Sequence, residues 1–137
     1  MGVLHVGTSR PVQARTGVTA ADSAFPSGVA QAGSIAVPGT RGATVHVLVN
    51  ASASGGAPTV LVTLFGYSKE LNRWYVLLQL NGGAVIAPGT KTGQADGNNT
   101  HYAESIEHVG VWDRLYPLLT TVAGTSQSIA VDFLFEE

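Results

Sequence analysis

The chain reads as an all-β domain: a single antiparallel β-sandwich, expected to wrap as a jelly roll, with an extended N-terminal arm. Three observations predict it. Short segments rich in valine, isoleucine and threonine alternate apolar and polar positions with period two. Turn-forming pairs such as Pro38-Gly39, Asn81-Gly82 and Pro88-Gly89 separate them, and the strands recur at roughly a dozen residues, the spacing of sandwiches and small barrels. Strand does not alternate with helix, which disfavours a parallel α/β sheet, and no constant repeat points to a solenoid or propeller.

The 137 residues match one domain. Residues 1–34 are small, polar and punctuated by Pro11, Gly17, Pro26 and Gly28. They predict an extended arm with one or two short edge strands, and residues 35–137 predict the sandwich. In the sandwich, Ile35-Ala36-Val37 opens the first strand. Val45, Val47 and Val49 then share one face against Thr44, His46 and Leu48. Residues 59–67 and 73–80 predict a hairpin across the polar link 68–72, and Ala84-Val85-Ile86 follows the Asn81-Gly82 turn. Residues 91–99 read as a polar loop, and 100–107 fit either a helical turn or an extended excursion. Val109-Gly110-Val111-Trp112 predicts a strand. Residues 114–122 predict another, with Pro117 confining it to an edge, a strand start or a bulge. The last strand sets Ile129, Val131, Phe133 and Phe135 against Ser128, Ala130, Asp132 and Leu134.

Composition removes several functions. The formal net charge is −2 and the seven Lys and Arg residues are scattered singly, so the cation cluster that drives nucleic-acid binding is missing. No apolar run approaches the ~20 residues that span a bilayer, and no signal peptide is expected at the N-terminus. The chain has no cysteine, which excludes disulfides and thiolate metal sites. With only 12% charged residues, a free monomer is a solubility risk, so part of the surface is expected to be covered in an assembly.

Candidate chemistry is sparse. His5, His46, His101 and His108 follow no ligand spacing. No Gly-x-Ser-x-Gly elbow marks a nucleophile. Glu104 and Glu107 predict a solvated pair. Asp96-Gly97-Asn98-Asn99, with Glu107 further on, faintly follows a calcium loop, but the glycine stands in the wrong place and an Asx-rich turn accounts for it. Asn50-Ala51-Ser52 and Asn98-Asn99-Thr100 match the glycosylation sequon. No catalytic residue, cofactor or metal set is assigned, and the chain is not expected to be an enzyme. Trp74 and Tyr75 are adjacent and must point to opposite faces, so one of them is expected to face outward as an interface anchor.

The valine strand Thr44–Val49, the Ser/Gly/Pro loop 52–58, the Thr-rich strand Thr59–Tyr67 and the Arg-Trp-Tyr strand 73–78 resemble a group of small tailed-bacteriophage virion proteins. So does the C-terminal hairpin from Trp112 through Ser128–Phe133. The resemblance implies a structural protein of the minor-head or capsid-decoration class, located on the outer capsid surface, with the major capsid protein as partner. It brings no catalytic residues. A homo-oligomer is expected, a trimer being one closed form, because assemblies of identical chains usually close by symmetry. The expected contacts are Val3, Leu4, Val6, Val12 and Phe25 of the arm, with Trp74 and Tyr75. The alternatives are a tail, connector or fibre component, and a carbohydrate-binding module built on Trp112, Tyr116 and the 91–107 loop. No nucleic acid and no membrane are expected as partners.

Overall fold

Residues 11–38, 44–79 and 94–136 are described by the computed structural model. Nine strands lie among them: β1 (Pro11–Val18), β2 (Ile35–Ala36), β3 (Thr44–Ser52), β4 (Thr59–Ser68), β5 (Arg73–Gln79), β6 (Gln94–Asp96), β7 (Asn99–Ile106), β8 (Arg114–Ala123) and β9 (Ser128–Glu136). They form two antiparallel sheets that pack as a sandwich. The first sheet has the order β1-β9-β3-β7-β6, and the second β2-β8-β4-β5.

The core follows from the alternation. In the first sheet Val47 pairs with Phe133, Val49 with Val131 and Ala51 with Ile129, and all six are buried. The second sheet meets them with Val60, Val62, Leu64, Leu78, Leu115 and Leu119. Each such side chain contributes about 1.5–3 kcal/mol on leaving water. Gly66 also faces inward, because the indole of Trp112 lies where a Cβ would stand, 2.7 Å from its position.

Several expectations are corrected. Val109–Val111 is one turn of 3-10 helix, not a strand. His108 enters it at φ 62°, a left-handed conformation that ends the extended run, and Val109 drops into the core. Part of the expected 91–99 loop is β6, which turns through Gly97 (φ 64°) into β7. Period two fails to announce β7 because its inward positions Thr100 and Glu104 are polar as well. Glu104 is not solvated: it pairs with Val47 and is 6% exposed, whereas Glu107 lies beyond the strand in solvent.

Pro117 lies within β8, between β2 and β4. It is tolerated there because β2 pairs only with Arg114 and Leu115. A strand residue's N–H and C=O point the same way. The Pro117 carbonyl accepts from the Arg15 side chain, so the missing N–H faces the side where no ladder continues. The strand is locally an edge there, as a proline requires.

A candidate interaction surface

The outer face of the second sheet is aromatic. Phe65, Tyr116 and Leu118 are buried on it, with Trp74 packed against them. Residues 19–34 lie across this face as a strap. The Phe25 ring meets Phe65 at 5.7 Å, Pro26 is buried, and the Trp74 indole N–H donates to the Gly28 carbonyl at 3.0 Å. Further along, Arg114 donates to the Ser34 hydroxyl and carbonyl.

An ion pair fixes the start of the strap. Arg15 Nη1 and Nη2 donate to the two carboxylate oxygens of Asp22, both at 2.9 Å. The same Nη1 donates to the Tyr116 hydroxyl and the Pro117 carbonyl. Asp22 in turn takes the place of a neighbouring strand: its N–H donates to the Leu119 carbonyl, and its carboxylate accepts the Leu119 N–H at 2.8 Å. Both charged side chains are largely shielded from solvent, at 15% and 18% exposed. Bidentate arginine–carboxylate geometry is the strong form of such a bond. The hydrogen bond to Asp22 raises the Arg15 pKa, against a smaller lowering by burial. Burial by itself would raise the Asp22 carboxyl, but the Arg15 and Leu119 hydrogen bonds and the guanidinium charge outweigh it and hold the group below its ordinary value. Burial pushes the Tyr116 hydroxyl up.

On its outer side the strap leaves an apolar strip. Phe25 is 74% exposed and Val29 53%, while Val76 of β5, which pairs with Phe65, is 51% exposed. Phe25 lies against Phe65, whose strand partner is Val76, and Val29 follows Gly28, whose carbonyl accepts from Trp74.

Of the expected contact residues, Phe25 lies in this strip. Trp74 is the outward member of its pair, but it is half-buried under the strap. Tyr75 faces inward at the sheet margin, half-buried, with its ring 5.7 Å from Trp112. Val12 lies on the edge strand β1. Val3, Leu4 and Val6 lie outside the described residues. Trp112 and Tyr116 fall on opposite faces of the second sheet and do not form one stacking platform.

The outer face of the first sheet is polar and bears two features. In one, Ser105 Oγ and His46 Nδ1 lie 2.6 Å apart, and His46 Nε2 and Glu136 Oε1 lie 2.8 Å apart. A hydroxyl, an imidazole and a carboxylate in hydrogen-bonded sequence form the pattern that activates a nucleophile. This row of groups stands on an open sheet face, and none of the three residues lines the depression at Asn50 or the one at Asp22. It ties β9 to β3 and β7.

The other feature is a depression of about 390 Å³ where β1, β9, β3 and β7 pass side by side. The residues Asn50, Ala51 and Ser52 of one sequon line it, together with Asn99 and Thr100 of the other. Asn98 Oδ1 accepts the Gly56 N–H. Among the described residues, no group of three or more His, Asp or Glu side chains could hold a metal ion. Asp96 and Glu107 flank opposite ends of β7, about 25 Å apart at the rise of a strand, too far to share a calcium ion.

Sequence reasoning missed the Arg15–Asp22 clamp and the Ser105–His46–Glu136 chain. The clamp left one signal: Arg15 and Asp22 are the only charged residues between Pro11 and Ser34. Comparison with protein-family models, curated proteins and solved structures finds no match for the chain.

Proposed function

We propose that this protein is a structural virion component that binds the outer surface of a tailed-phage capsid and stabilises it. The observation that carries this reading is the exposure of Phe25 and Val29 on a strap clamped to the sandwich by Arg15 and Asp22, beside exposed Val76 of β5. Large apolar residues left exposed on one face mark interaction surfaces. Because the strap is held in place before binding, little conformational entropy is lost on docking.

The strand order supports a jelly-roll wrapping. Apart from the β4–β5 and β6–β7 hairpins, consecutive strands pass between the sheets, and with the β6–β7 hairpin counted as one arm the orders become four against four, as two Greek keys require. That architecture recurs in viral capsid and lectin domains. The resemblance of the 42–78 and 112–133 segments to small phage virion proteins points to the first of these. A ligand that binds only the assembled shell stabilises it by mass action, multiplied over many copies.

Co-sedimentation of the purified protein with empty, expanded shells of its own virus tests the proposal. Saturable binding is expected, weakened at least about tenfold by Phe25→Asp, which places an unpaired charge in the contact. Protein that stays in the supernatant, or that labels the tail of intact particles, overturns it.

A further inference from the structure

We infer that the depression on the outer face of the first sheet is a binding site for a neutral sugar. Its shape is set by the backbone. Arg15 pairs with Val131 and Val18 with Ile129, so β1 carries an extra residue at Thr16-Gly17, a bulge opposite Ala130. Gly17 takes φ +63° with open space where a Cβ would point. Beside it, the outward positions of β9 are the small residues Ser128 and Ala130. Asn50 pairs with both Ala130 and His101, so a carboxamide and an imidazole stand together on one side of a floor with low side chains.

The chemistry of the lining selects the ligand. Thr16, Asn50, Ser52, Asn99, His101 and Ser128 supply hydroxyls, amides and an imidazole, and among the described residues no Lys, Arg, Asp or Glu lines the depression. Hydroxyl and carboxamide groups both donate and accept hydrogen bonds, as the vicinal hydroxyls of a sugar do. A phosphate or carboxylate would lack a cation here. A lipid tail or apolar peptide side chain would leave these polar groups unpaired beneath it. The volume of about 390 Å³ falls at the lower end of small-molecule sites, which suits one or two sugar rings. Because the site is open, affinity is expected in the millimolar range, about −4 kcal/mol. The capsid proposal concerns the other sheet and stands or falls separately.

Amide NMR of the full chain tests the inference, with titration by glucose, galactose, mannose and N-acetylglucosamine oligomers and with glucuronic acid as the anionic control. At least one neutral sugar is expected to shift the Asn50, His101 and Ser128 resonances saturably. Ala130→Leu, which fills the depression, and Asn50→Ala are each expected to weaken binding at least about tenfold, with unfolding midpoints matching wild type. The inference is overturned if no neutral sugar shifts these amides at about 50 mM, well above a millimolar Kd. It is also overturned if shifts persist in folded Ala130→Leu protein, or if the anionic sugar binds more tightly than every neutral one.

Discussion

Phe65, Tyr116 and Leu118 on the outer face of the second sheet are buried beneath the 19–34 strap, while the outer rows of the first sheet, at His46, Leu48 and Asn50, stay open among the described residues. Both faces belong to antiparallel sheets of one sandwich and share the same core. They differ in side chains. Aromatic rings cannot be left in water without loss, so the second sheet recruits a peptide strap to cover them. Apart from Leu48 and Leu134, the described outward positions of β3 and β9 are polar or small, and water satisfies them without a cover. One face is therefore part of the stability of the fold, whereas no described residue straps the other.

Truncating the covered face tests this contrast most severely. Phe65→Ala should cost about 3–4 kcal/mol in denaturant unfolding, whereas Asn50→Ala on the open face should stay within about 0.5 kcal/mol. Similar costs for the two variants would abolish the distinction. Next comes the clamp. Asp22→Ala removes the counter-charge of Arg15, which keeps only the Tyr116 hydroxyl and the Pro117 carbonyl, and the acceptor of the Leu119 amide, and should cost about 2–3 kcal/mol. Limited proteolysis should then cut within 19–34 before the sandwich unfolds. An unchanged cleavage pattern would mean that the aromatic contacts alone hold the strap.

Gly66→Ala probes the inner side of the second sheet. The new methyl would lie 2.7–2.8 Å from the Trp112 indole and 2.9 Å from Leu77, which predicts a loss of about 1–3 kcal/mol and a changed tryptophan emission. An unshifted spectrum with full stability would show that Trp112 moves aside freely.

The pH dependence sharpens the comparison further. The Asp22 carboxyl is held below its ordinary value in the fold, so the unfolded chain binds the proton first as the pH drops. The stabilisation is complete above the unfolded pKa of about 4 and is lost as the pH falls through the folded value. Asp22→Asn should flatten that acid limb relative to wild type. At the alkaline end Tyr116, whose pKa is raised, contributes a loss that begins above about pH 10, and Tyr116→Phe should remove it. The smallest effect belongs to the open face. His46→Ala breaks a solvent-accessible chain to Ser105 and Glu136 and should change stability by no more than about 0.5 kcal/mol.

Most of the sandwich was legible because strand periodicity is local. The alternating valines of β3 and the Ile129–Phe133 face of β9 carry their inward side in their own spacing, and both are buried as that spacing requires. β7 was illegible because polar Thr100 and Glu104 occupy inward positions, erasing the contrast that periodicity needs. The expected strand at 109–112 failed because so short an apolar run fits a turn as well as a strand; only Val109 is buried, and Val111 is 75% exposed.

By itself, the sequence determined the class of fold, the inward face of each well-patterned strand, and the opposition of Trp74 to Tyr75. Tertiary structure alone decided that Trp74 lies under a strap, that Arg15 reaches Tyr116 across a sequence separation of 101, and that Ser105, His46 and Glu136 meet in one row. The physical reason is range. Side-chain alternation is fixed between neighbouring residues, whereas these meetings depend on which strands lie side by side and in what register, and that is settled only when the two sheets close on a common core.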